Sequence, residues 1–201
     1  MGVSISVKSG FPKKQLKYAQ LSRDEVARLQ SQFSGEIEIV EPERRLYDLH
    51  CQNAVICSVA FLEGMTATYC NDEGINRDQI PNHLGVEEEL AHIIDDLGYE
   101  SEPLENQKEI QAIRQFRNDL IHFEATLVRA GKEYEEYNAD ELLADVGFPE
   151  YPLSDANQGY PFKWFSHELA ETSVRMAFHV WRVFSRQQGR EDELLSGVPS
   201  A

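Results

Sequence analysis

Cysteine is scarce in this chain, with three in 201 residues. Cys51, Cys57 and Cys70 are odd in number and form no CxxC pair, which excludes a disulfide framework and a thiolate zinc site and leaves reduced core packing as the expected role. Apolar runs are short. None reaches the roughly 20 residues needed to span a bilayer, and the first residues lack the apolar core of a signal peptide, so no membrane partner is expected and the expected location is cytoplasmic. Basic side chains are also few, 19 Lys and Arg against 35 Asp and Glu, for a net charge of −16. That balance excludes a protein coating nucleic acid through a general cationic field, but leaves room for a small local basic cleft. Solubility is the simplest use of the acidity, and a basic partner protein is the alternative. The chain has no glycine-rich phosphate loop, no G-x-S-x-G elbow and no Cys/His nucleophile pair.

A chain of this length buries a real core, and one domain with an elaboration is the default. Residues 1–42 read differently from the rest. Val3-Ser4-Ile5-Ser6-Val7 and Gly35-Glu36-Ile37-Glu38-Ile39-Val40 alternate as short strands do. Between them, Ser22-Arg23-Asp24-Glu25 fits a capping box that opens a helix through about Gln32. Lys8, Lys13, Lys14 and Lys17 make a local basic patch. The expectation is a small N-terminal α/β or extended appendage over residues 1–42, followed by a helical bundle over 43–201.

The bundle is read from periodicity. Glu43 to about Asn71 is one long helix, apolar over most of its circumference from Ala54 to Ala67, as suits a central element. Val86, Leu90, Ile93, Ile94 and Leu97 form a helical stripe closed by Gly98. A helix from about Leu104 to Arg129 follows. An irregular, Pro- and Tyr-rich insertion spans about 131–162, with a short helix at Ala139–Val146. The last element, Trp164 to about Gln188, is long and amphipathic. About four main helices give an all-α, up-down bundle.

Chemistry concentrates at Arg117, Asn118 and His122. Taking Ile110, Ile113, Leu120 and Ile121 as one apolar face, Arg117 projects through its middle, with Asn118 and His122 on the flank. A guanidinium there is costly unless it is paired or binds something. Arg matches phosphate geometry, His moves protons near neutrality, and Asn orients. Together they could cleave RNA without a metal: a 2′-OH attacks the adjacent phosphorus, the imidazole handles protons, and the guanidinium stabilises charge on the phosphate oxygens. One such set is thin, and two copies across a two-fold axis would be fuller. The competing reading pairs Arg117 with a carboxylate on a neighbouring helix, Glu63 or Asp95, within one monomer.

The run Arg117-Asn118-Asp119-Leu120-Ile121-His122 resembles the R-N-x-x-x-H form of the signature of HEPN domains (higher eukaryotes and prokaryotes nucleotide-binding). The helix from Cys51 to Gly64, whose apolar run ends in Leu62-Glu63, is similar to the first helix of that family. The resemblance covers roughly Arg44 to Gln188. It implies an all-α bundle that dimerises with the motif near the interface. It also implies a metal-independent endoribonuclease of toxin–antitoxin or other defence type, with Arg117, Asn118 and His122 catalytic and no cofactor. The implied partners are RNA, a second copy and an antitoxin or other inhibitory protein. Some members have lost activity and serve as binding modules. Where certain members carry a tyrosine modified by a partner, this chain has Glu124, which puts that regulation in doubt.

Other patterns are weaker. Glu89-x-x-His92 and Asp119-x-x-His122, with Glu63 and Glu168 or Glu171, could in principle form a di-metal bundle site. His167-Glu168-Leu169-Ala170-Glu171 lacks the second His of a zinc protease and reads as helix surface. Tyr151, Tyr160, Phe162 and Trp164 with Lys163 could stack bases, but an aromatic plug over the bundle is the favoured expectation.

Overall fold

The computed structural model describes residues 11–33, 41–74, 107–127, 139–149 and 160–187. Among them every regular element is helical: α1 (Phe11–Phe33), α2 (Glu41–Glu73), α3 (Gln107–Leu127), α4 (Ala139–Val146), a 3-10 turn (Phe162–Trp164) and α5 (His167–Gln187). The all-α bundle expected from periodicity is what forms. The strands expected near residues 3–7 and 35–40, and the helix around 86–97, lie outside the described residues.

The first helix differs most from its sequence reading. It begins at Phe11, not at Ser22, and Ser22 sits in its interior, 8% exposed. Leu16, Ala19, Val26 and Leu29 are all at most 3% exposed and recur at helical spacing, so α1 carries a full apolar stripe. Burial of that stripe outweighs the local capping signal, because tertiary packing supplies most of a helix's stability. Glu25, offered as the reciprocal cap, instead accepts a hydrogen bond from Arg28 Nε at 2.8 Å. Packed on α2 and α5, α1 shares a hydrophobic core with them and is part of the bundle.

Helix directions follow from named pairs. A short connection joins α1 to α2, and the Tyr47 hydroxyl donates to Gln30 at 3.0 Å, so these two helices form an antiparallel hairpin. Cys51 Sγ lies 3.8 Å from the Ser166 carbonyl oxygen, while the Phe61 and Trp181 rings meet at 6.0 Å, so α5 runs in the same sense as α2. The up-down alternation is therefore carried by α1, which opposes both. Arg23 meets Glu171 at 3.3 Å across the α1–α5 seam.

The ends are finished locally. The Ser166 hydroxyl accepts the Leu169 amide at 3.1 Å, an N-cap for α5. Gly147, at φ +84°, closes α4: its own N–H reaches the Ala144 carbonyl and the Phe148 N–H reaches Leu143, both at 3.0 Å, a Schellman arrangement. The buried hydroxyls of Thr66 and Ser173 are satisfied inside their own helices, on the Leu62 carbonyl at 2.6 Å and the Leu169 carbonyl at 2.7 Å, whereas that of Ser58 has no partner among the described residues.

Candidate functional site

Helix α3 buries Ile110, Ile113 and Leu120 of the expected apolar face, but not Ile121. Ala112, Ile113 and Phe116 are fully buried, Asp119 is 2% and Leu120 8% exposed, while Ile121 is 51% exposed. The buried arc is thus centred near Phe116. Arg117, about 100° further round, stands on the rim beside Ile121, not in the middle of the face.

From that rim the Arg117 guanidinium reaches α2, where its Nη2 pairs with Glu63 Oε1. Its side chain is 16% exposed and that of Glu63 is 47% exposed, so the pair lies at the bundle surface. Burial of the guanidinium lowers its proton affinity, and its Nε is buried without a hydrogen-bond partner among the described residues. This is the monomer pairing with Glu63 that competes with a substrate-binding role. Asn118 is partly exposed beside it. His122 belongs to the same helix, about 140° round from Arg117; its side chain, like Asp95, lies outside the described residues.

The charged group that α3 does carry into the core is Asp119, a residue that sequence reasoning weighs only as half of a D-x-x-H pattern. Its carboxylate accepts hydrogen bonds from the Tyr160 hydroxyl and from Gln115 Nε2, the latter at 3.2 Å. At 100° per residue Asp119 and Arg117 flank the Ile113–Phe116–Leu120 face on opposite sides, so spacing alone does not tell which of the two is buried.

Of the aromatic residues expected to plug the bundle, Tyr160 and Trp164 pack onto it, while Phe162 is 43% exposed. The Tyr160 and Phe165 rings meet Phe116 edge-on at 5.9 and 6.1 Å. Trp164, 2% exposed, donates its indole N–H to Asp140 at 2.6 Å, and Lys163 reaches the same carboxylate at 2.8 Å. Asp119 on α3 and Asp140 on α4 thus staple residues 160–165 over the bundle. Tyr151 lies outside the described residues. Glu168, in the first turn of α5, is exposed, consistent with a helix surface.

Among the described residues no three His, Cys, Asp or Glu side chains converge to hold a metal ion. Of the di-metal set, Glu63 is paired with Arg117 and Asp119 with Tyr160, while Glu89 and His92 lie outside the described residues. No described helix is long and apolar enough to cross a membrane. Comparison with family models, curated proteins and solved structures gives no match.

Proposed function

We propose that this chain is a HEPN-like endoribonuclease that cleaves RNA without a metal, acting as a homodimer in a toxin–antitoxin or other defence setting in the cytoplasm. The observation carrying the reading is the Arg117-Asn118-x-x-x-His122 run on a bundle helix, with the Arg117 guanidinium at the rim and not sealed in the core. Glu63 then acts as the orienting carboxylate, fixing one edge of the guanidinium fork. In the reaction the ribose 2′-oxygen bonds to phosphorus as the P–O5′ bond breaks. His122 takes the 2′-OH proton, the 5′-oxygen receives a proton as it leaves, and Arg117 stabilises the charged phosphate oxygens. The second copy's motif supplies the further proton-transfer group.

The Arg117–Glu63 pair favours a second reading, a non-catalytic bundle of the same type that binds RNA or a protein partner, with the pair serving structure alone. Incubating the full chain with unmodified RNA in chelator separates the two. Cleavage lost in both Arg117→Ala and His122→Ala, with far-UV dichroism unchanged, supports the enzyme. Intact RNA under those conditions, together with capture of a partner, supports the binding module. Stoichiometric metal in the purified protein would overturn both in favour of a di-metal bundle.

A further inference from the structure

The charge of this acidic chain is unevenly distributed. Residues 1–23 contain no Asp or Glu but hold Lys8, Lys13, Lys14, Lys17 and Arg23; residues 172–190 contain no Asp or Glu but hold Arg175, Arg182, Arg186 and Arg190. Nine of the 19 basic residues, and none of the 35 acidic ones, fall in these two stretches, which are far apart in sequence.

The fold brings their described parts, within α1 and α5, together. Because α1 opposes α5 and Arg23 meets Glu171, the first half of α1 lies alongside the second half of α5. Ten residues back from Arg23 reaches Lys13, and eleven on from Glu171 reaches Arg182, each a travel of about 15 Å along its helix. Arg175 and Arg182 follow Glu171 by four and eleven residues, so they share the α1-facing flank of α5. Lys13 and Lys17, one turn apart, project from α1. Lys13, Lys14, Lys17, Arg175 and Arg182 are all exposed, and His179 is partly exposed between the two arginines. Among the described residues of α1 and α5, acidic groups occur only at the other end of the seam, as Asp24, Glu25, Glu171 and Glu168.

We infer that this end of the α1–α5 seam, where neither helix carries an acidic residue, is a binding surface for the phosphate backbone of RNA, separate from the α2–α3 rim that holds Arg117. The inference rests on the RNA reading above and names how that substrate is held. Exposed Lys and Arg on two adjacent helices suit a run of phosphates through charge alone, so the surface is indifferent to base sequence. The remainder of the chain, with ten basic residues against 35 acidic ones, repels RNA and confines it to this end. An acidic protein segment would meet the same charges without the regular phosphate spacing.

The test uses the full chain and a fluorescein-labelled, mixed-sequence 20-nucleotide RNA with every 2′-OH methylated. That probe cannot be cut by 2′-oxygen attack, so binding is read apart from cleavage. Anisotropy titrations across a salt series compare wild type, Arg175→Gln/Arg182→Gln, and a control losing the same charge elsewhere, Arg28→Gln/Lys108→Gln. The expected result is roughly tenfold weaker binding at low salt for the α5 pair, with the log–log salt slope smaller by about 0.7 for each phosphate no longer neutralised. The control should change binding less than about twofold. Equal losses in both variants, absence of binding by wild type, or equal competition by poly-glutamate at matched charge would overturn the proposal. Binding that follows the α5 arginines while unmodified RNA stays uncut would retain this surface and remove the nuclease reading.

Discussion

The buried Asp119 ties the motif helix to the 160–165 segment through the Tyr160 hydroxyl. A carboxylate that is 2% exposed is tolerated only while its lone pairs are occupied. Tyr160→Phe removes one donor and leaves the charge in place, so it should destabilise by about 1–3 kcal/mol. Asp119→Asn keeps the shape and an acceptor, and should cost less. A double-mutant cycle read by urea denaturation should give a positive coupling between the two sites; independent effects would mean that the hydrogen bond contributes nothing. The Arg117–Glu63 pair is expected to behave differently, since half of Glu63 faces water. Glu63→Gln should shift stability by less than about 1 kcal/mol. A thiol gives a pH signature. Burial, reinforced by the charge of Asp48, pushes the Cys51 thiol well above its ordinary range. The folded state therefore holds the proton after the unfolded chain has lost it. The stabilisation is complete below the unfolded value of about 8.5 and is lost as pH rises from there toward the folded value. Urea midpoints should fall from pH 8 to 10 more steeply in wild type than in Cys51→Ala; parallel curves would place the effect elsewhere.

At the level of elements, α3 and α5 are legible from apolar periodicity, because each presents a stripe long enough to dominate its local signals; α2 is legible from a run apolar over most of its circumference, and the short α4 from Asn138, a cap residue in the sequence just before it. α1 is not. Its stripe of Leu16, Ala19, Val26 and Leu29 is spaced by polar residues and interrupted by Ser22, whose resemblance to a cap is strong in isolation. Only the packing partner decides between cap and stripe. The exposure of Ile121 escapes the sequence for a related reason: Ile110 and Ile113 are buried with Phe116, while Asp119, held by Tyr160, takes the other flank of that face. The pairing of Arg117 with Glu63 is among the sequence alternatives, but its position on the rim is not. The N-terminal helix can be tested directly. Val26 is fully buried in the core that α1 shares with α2 and α5, so Val26→Asp should cost more than about 3 kcal/mol by leaving an unpaired charge in the core. A separable appendage would tolerate that change with the thermal midpoint of the remainder unmoved.

For the whole molecule, charge acts in two opposed directions. A net charge of −16 on 201 residues repels itself in the compact state, and added salt screens that repulsion. The exposed basic end formed by Lys13, Lys14, Lys17, Arg175 and Arg182 attracts phosphates, and added salt weakens that attraction by favouring counterion return. One titration from about 20 to 300 mM sodium chloride, through which the Debye length falls from roughly 20 Å to about 6 Å, should therefore move two observables apart. The thermal midpoint should rise by a few degrees while RNA affinity falls steeply. In Arg175→Gln/Arg182→Gln the net charge becomes more negative, so the midpoint should rise more with salt than in wild type, whereas affinity should depend on salt less. If both observables weakened together, the affinity loss would reflect loss of the fold, and the segregation of charge would carry no binding. If the midpoint rose equally in both proteins while affinity alone changed slope, the two arginines would act locally on phosphates with little part in the global repulsion.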